Sequence, residues 1–155
     1  MRISKETYEK LNELLKTYFE SNAQADNFAY NLNFHYLNKM GDIYHHSFAH
    51  AFPSDIFADG LSDLMLKLGA RPIRIGFPSY DKDYGRDVKA LFADNVKMLE
   101  GIRELVKETI DVADMNDDIE VKIFLEDSIL HNVLAFLKQS EEWLDAANYL
   151  TVDDL

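Results

Sequence analysis

Apolar residues recur along most of the chain at steps of three and four, the spacing that lays one side of an α-helix against a core. The first stripe is Tyr8, Leu11, Leu15, Tyr18, Ala25, Phe28, Leu32 and Tyr36. It predicts a helix from about Ser4, a good N-cap residue, to about Asn38. A second helical segment runs from about Asp42 to Leu68 and stops at Gly69, a C-cap signal, with Pro72 beyond it. The third, from about Arg86 to Ala113, carries Val88, Leu91, Phe92, Leu99, Ile102, Val106 and Ile110 on one face. The fourth opens after the cap-rich Asn116-Asp117-Asp118 with Ile119, Ile123, Leu130, Val133, Leu134, Leu137 and Leu144. Ile73, Ile75 and Phe77 look β-like, but the patches are too short to build a sheet.

Four helices with short first and last links describe an all-α chain folded as a four-helix bundle. The link between the second and third helices, about sixteen residues, is long enough to cross the whole bundle, the one-crossover topology of ferritin-like folds. The 155 residues form one domain, residues 1–155, with no internal repeat. Pro53 and Gly60 interrupt the second helix. A proline there removes a helical N–H and kinks or restarts the helix.

Charge changes the picture next. Lys and Arg number 16 against 28 Asp and Glu, a formal net charge of −12. Such a surface argues against direct binding to nucleic acid or anionic membrane and favours the attraction of cations. The absence of cysteine excludes disulfides, thiolate metal sites, iron–sulfur clusters and a cysteine nucleophile. The opening MRISKETYEK has no apolar stretch of a secretory signal. No run approaches the roughly 20 apolar residues of a membrane span. A cytoplasmic protein without membrane contact is the expectation. Phosphate-loop, dinucleotide-binding and serine-hydrolase motifs are all missing.

The candidate chemistry lies in the histidines and carboxylates. His35, His45, His46 and His50 fall close together, and His46 and His50 are one helical turn apart. Asp55, Asp59 and Asp63 form a second ladder just after them. Imidazoles beside hard oxygen ligands read as a divalent-cation site, and equally as a solvated helix face with ordinary surface histidines. On the fourth helix, Glu126 and Asp127 fall at or beside the apolar stripe, where a carboxylate needs a partner or a metal. Asp127 and His131 are spaced to bond each other, and Glu100 points either way. Tyr44, Phe48 and Phe52 lie off the stripes and suit a subunit interface.

Two stretches carry a resemblance. Asp59-Gly-Leu-Ser-Asp63-Leu-Met-Leu-Lys-Leu68-Gly69-Ala-Arg-Pro72 resembles the D-x-x-A-E-R-I-x-x-L-G-x-x-P of the Dps miniferritins, the ferritin-like DNA-protection proteins. Phe34-His35-Tyr36-Leu37-Asn38-Lys39-Met40-Gly41 resembles that family's H-W-N-V-K-G, and His46, or His45, falls near its next histidine. His50 stands where the family often has an acidic ligand. These motifs cover about 40 residues. The resemblance implies that His35 and His46 of one subunit face Asp59 and Asp63 of another and bind iron, with His50 as a supplementary ligand. It further implies a homo-oligomeric, dodecamer-like hollow cage for iron storage and protection from oxidative stress. The expected activity is that of a ferroxidase, Fe(II) oxidation by hydrogen peroxide or dioxygen. The family's arginine is Leu64 here, its glutamate is shortened to Asp63, and the basic DNA-binding tail is missing. The E-x-x-H of classical ferritins has no counterpart, since no glutamate lies between Glu20 and Glu100. The competing expectation is a ferritin-like scaffold whose metal site has decayed, acting as a structural or protein-interaction module. A di-metal hydrolase or oxidase would need Glu126 or Asp127 buried on a metal.

Overall fold

In the computed structural model, which describes residues 1–149, Ser4 caps the first helix as expected: its hydroxyl accepts the Thr7 N–H at 3.1 Å. Helix α1 (Lys5–Phe34) then runs 30 residues without interruption. It ends four residues before Asn38, because the chain turns through Tyr36 with φ of +65°, outside helical space. The rest is helical too: α2 (Asn38–Ser47), a 3₁₀ turn at Ala49–Ala51, α3 (Ala58–Lys67), α4 (Val88–Met115), α5 (Ile119–Phe124) and α6 (His131–Tyr149). A π-helical segment, Leu125–Leu130, joins α5 to α6. The protein is all-α, with no strand among the described residues, so the β-like patches stay irregular.

Helix α1 packs against α2, α3 and α4, and α4 packs against α5, the π segment and α6. The stripes of α1 and α4 are those read from the sequence, except that Tyr36 lies beyond α1 and is exposed: Leu11, Leu15, Tyr18, Ala25, Phe28 and Leu32 face Leu91, Phe92, Leu99, Ile102 and Val106 in one core. At the α4 start, the Asp87 carboxylate accepts the Ala90 N–H at 3.0 Å. The end of α3 is closed by Gly69, whose φ of +70° suits a residue without Cβ. There Leu68 C=O accepts the Arg2 N–H at 2.9 Å, so the α2–α3 run returns beside the start of α1.

The long connection then retraces the length of α1 along a track of polar side chains. Asn12 Oδ1 accepts the Ile73 N–H at 2.9 Å, and the Arg74 guanidinium lies 3.7 Å over the Phe19 ring. Further along, Tyr80 donates to the Glu20 carboxylate. The side-chain amides of Asn27 and Asn31 donate to Lys82 C=O at 3.1 and 2.9 Å, and Asn31 Oδ1 accepts the Tyr84 N–H at 2.7 Å. These bonds give an irregular backbone the partners a helix would otherwise supply.

The fourth run corrects the expected register. Its buried residues are Val121, Leu125, Ile129, Val133 and Leu137, one every four positions. An α-helix turns 100° per residue, so steps of four drift by about 40° each. The wider π turn absorbs that drift and keeps the five on one face. Ile119, Ile123 and Leu134, placed in the core by α-helical stepping, are exposed instead. Glu126 and Asp127 are exposed as well, so neither is pressed toward the core and the reading that buries them on a metal falls.

Candidate metal centre

The second run breaks where proline and aromatic residues meet. Helix α2 ends at Ser47, and the chain makes a 3₁₀ turn, passes Pro53 and restarts at Ala58. Pro53 has no N–H to continue a ladder. Gly60 then matters through contact, since a Cβ there would meet the Asp55 carbonyl oxygen at 2.1 Å. The break is filled by rings. Phe48 stacks on Phe136 at 4.6 Å and Phe52 on Phe57 at 5.7 Å, while Tyr44 meets Trp143 at 5.7 Å. Tyr44, Phe48 and Phe52 are each 2% exposed or less, so they build the chain's own core and not a subunit interface. Buried rings of this size supply what a continuous helical stripe would have supplied.

That local path gathers three histidines. His45 and His46 sit on the last turn of α2 and His50 in the 3₁₀ turn. The helix has already ended at His50, so the expected stacking of His46 and His50 one turn apart does not arise. Instead His50 pairs with His45, Nε2 to Nε2 at 3.0 Å, with ring centroids 4.3 Å apart. The His46 ring lies 5.1 Å from His45 and 5.8 Å from His50.

A carboxylate from α1 joins them. Asp26 Oδ1 is 3.7 Å from His45 Nε2, too long for a hydrogen bond, and this buried oxygen has no hydrogen-bond partner. Burial pushes the Asp26 carboxyl above its ordinary range, and the charges of His45 and His50 pull it partly back.

His35 lies elsewhere. Its Nε2 is 2.8 Å from Asp83 Oδ1 in the long connection, and Arg86 donates to its carbonyl oxygen. Asp83 is held below the usual carboxylate range by the Gly85 N–H and then by His35 itself. Asp59 and Asp63 stand on α3, exposed, while exposed Asp55 precedes the helix. The three therefore form a ladder only in part. Glu100 and His131 are exposed, and no helix among the described residues is long and apolar enough to cross a membrane. Among the described residues, no three His, Asp or Glu side chains stand in place to hold a metal ion.

Sequence reading missed Asp26 and Asp83. Asp26 carries a faint signal, a charge lodged between Ala25 and Phe28 of the apolar stripe. Asp83 carries none, because its meeting with His35 depends on how the connection lies on α1. No model of a known protein family matches the chain, and no curated protein matches it.

Proposed function

We propose that the chain is a ferritin-like four-helix bundle, similar to Dps, that assembles with its own copies and binds and oxidises Fe(II) where two copies meet. The chain path supports the fold: the long connection retraces α1, so the α2–α3 run and α4 point the same way, the arrangement of a one-crossover bundle. One observation carries the metal reading. Asp59 and Asp63 lie on the exposed face of α3, framed by Ile56 and Leu66, which are 38% and 61% exposed. A carboxylate pair set among exposed apolar side chains is a surface that a second copy would cover. His46 and His50 of that copy then supply nitrogen, and His35 joins them on leaving Asp83. Iron is substrate here. Each Fe(II) gives up one electron, and one hydrogen peroxide takes two electrons and two protons to leave as two waters; dioxygen is the other oxidant of this class. The net charge of −12 draws cations toward the assembly.

Replacing both Asp59 and Asp63 by Asn tests this. Fe(II) oxidation, followed by ferric absorbance, is expected to slow by about 10- to 100-fold with the native mass unchanged. Wild-type kinetics in that variant overturn the assignment. A second reading rests on the His35–Asp83 pair, which ties the first nitrogen ligand of the resemblance to its own chain at 2.8 Å. On that reading the bundle is a scaffold with a decayed site, and the purified protein is a metal-free dimer and not an iron-bearing cage.

A further inference from the structure

We infer that Asp26, His45 and His50 of a single chain close on a divalent transition-metal ion of the zinc class, a site that shares His50 with the reading above but needs neither Asp59 nor Asp63. The three donors are not yet in place around one point, but two of their separations lie close to ligand geometry. The two imidazole nitrogens stand 3.0 Å apart, and Asp26 Oδ1 is 3.7 Å from His45 Nε2. Ligands at the roughly 2.0–2.1 Å of zinc–imidazole and zinc–carboxylate bonds have tetrahedral edges of about 3.3 Å, between those two separations. Rotation of the three side chains brings their donors onto one centre.

The arrangement also calls for a cation. At 3.0 Å the two Nε2 atoms share a proton, since two facing lone pairs would repel. A metal ion takes that proton's place and binds both lone pairs, the ring that carried the proton turning to its Nδ1–H tautomer. Asp26 Oδ1 is buried beside the pair with no hydrogen-bond partner, an unfavourable state for a carboxylate oxygen that an ion relieves. Two neutral imidazoles and one carboxylate carry one negative charge, and this donor set suits zinc over magnesium or calcium. The His45 and Asp26 side chains are 30% and 26% exposed, so an ion reaches them from solvent. His46 or water fills the fourth position. Bound there, the ion ties α1 to the break that follows α2.

The test is calorimetric titration of the metal-stripped full chain with zinc chloride, with thermal unfolding followed in parallel. One ion per chain and a saturable rise in Tm are expected. Asp26→Asn and His45→Gln each weaken binding by about tenfold or more, with circular dichroism unchanged. The Asp59→Asn, Asp63→Asn variant binds zinc as the wild type does. Cobalt(II) in zinc's place gives the visible absorption of a tetrahedral ion, and this is lost in His45→Gln. No saturable binding, wild-type affinity in Asp26→Asn and His45→Gln, or loss of zinc from the Asp59/Asp63 variant overturns the site. Slow Fe(II) oxidation in that last variant bears only on the intersubunit reading.

Discussion

Helix α1 and the α2–α3 run face each other across the same core, yet one is a single helix of 30 residues and the other two helices of ten. The long helix keeps its apolar residues in helical register and spends its polar ones, Asn12, Asn27 and Asn31, on anchoring the connection that lies on it. The broken run gives up register and packs aromatic rings, and its loss of helix turns His45, His46 and His50 toward a common point. The difference teaches that here the chemistry collects where secondary structure stops. A regular helix fixes side chains by arithmetic of spacing; a break fixes them by packing.

Truncating one residue on each side sharpens the contrast and has the largest expected effect. Phe52 is fully buried among Phe48, Phe57 and Phe136. Phe52→Ala is expected to cost about 3–5 kcal/mol in urea unfolding, through lost burial plus the cavity left behind. Leu14→Ala on α1 is expected to cost about 2–5 kcal/mol by the same mechanism. The separating readout is NMR of the histidines. Phe52→Ala moves the His45 and His50 ring signals, because the rings hold the break in shape, and Leu14→Ala leaves them in place. Unmoved histidine signals in Phe52→Ala would show that the cluster is set by the turn alone.

How far the two regions were legible in sequence follows the same division. The stripes of α1 and α4, the Ser4 cap and the Gly69 stop all come from local rules and survive folding, apart from Tyr36, which falls beyond the end of α1 and is exposed. The fourth run buries Val133 and Leu137 as its stripe predicts, but α-helical stepping places Ile123, Asp127 and Leu134 beside them, whereas the π turn puts Leu125 and Ile129 there. Nothing local in Leu125–Leu130 announces a π turn; it follows from packing against α4. Of the candidate site, the histidine cluster was visible as a cluster. Its pairing of His45 with His50, and the arrival of Asp26 from α1, were not, because both depend on where the chain resumes after Pro53.

A smaller effect is expected where the two kinds of region are stitched together. Tyr44 of the broken run donates to Asn95 Oδ1 at 2.7 Å, Asn95 donates to Ser140 Oγ at 2.9 Å, and Ser140 donates to the Phe136 carbonyl at 2.9 Å. This buried chain crosses α2, α4 and α6. Asn95→Ala leaves the Tyr44 hydroxyl without its acceptor in a dry core, at a cost of about 1–3 kcal/mol in urea unfolding. A loss well under that range would mean that the aromatic packing alone joins the broken run to α4 and α6.

The smallest effect belongs to the track on α1, and pH exposes it. Tyr80 is pushed up from an ordinary 10 to about 12, first by burial and then by its bond to the Glu20 carboxylate. The folded chain therefore favours the protonated phenol more than the unfolded chain does. The contribution is fully present below pH 10 and is lost as pH rises from 10 to 12, where the unfolded chain ionises first. At neutral pH, Tyr80→Phe removes a part-buried bond, worth about 0.5 kcal/mol. The wild type then loses stability relative to Tyr80→Phe across the alkaline window, and the two unfolding curves converge. Parallel curves from pH 10 to 12 would mean that Tyr80 does not fasten the connection. The anchoring of the long link would then fall to the asparagines of α1, whose amides do not titrate.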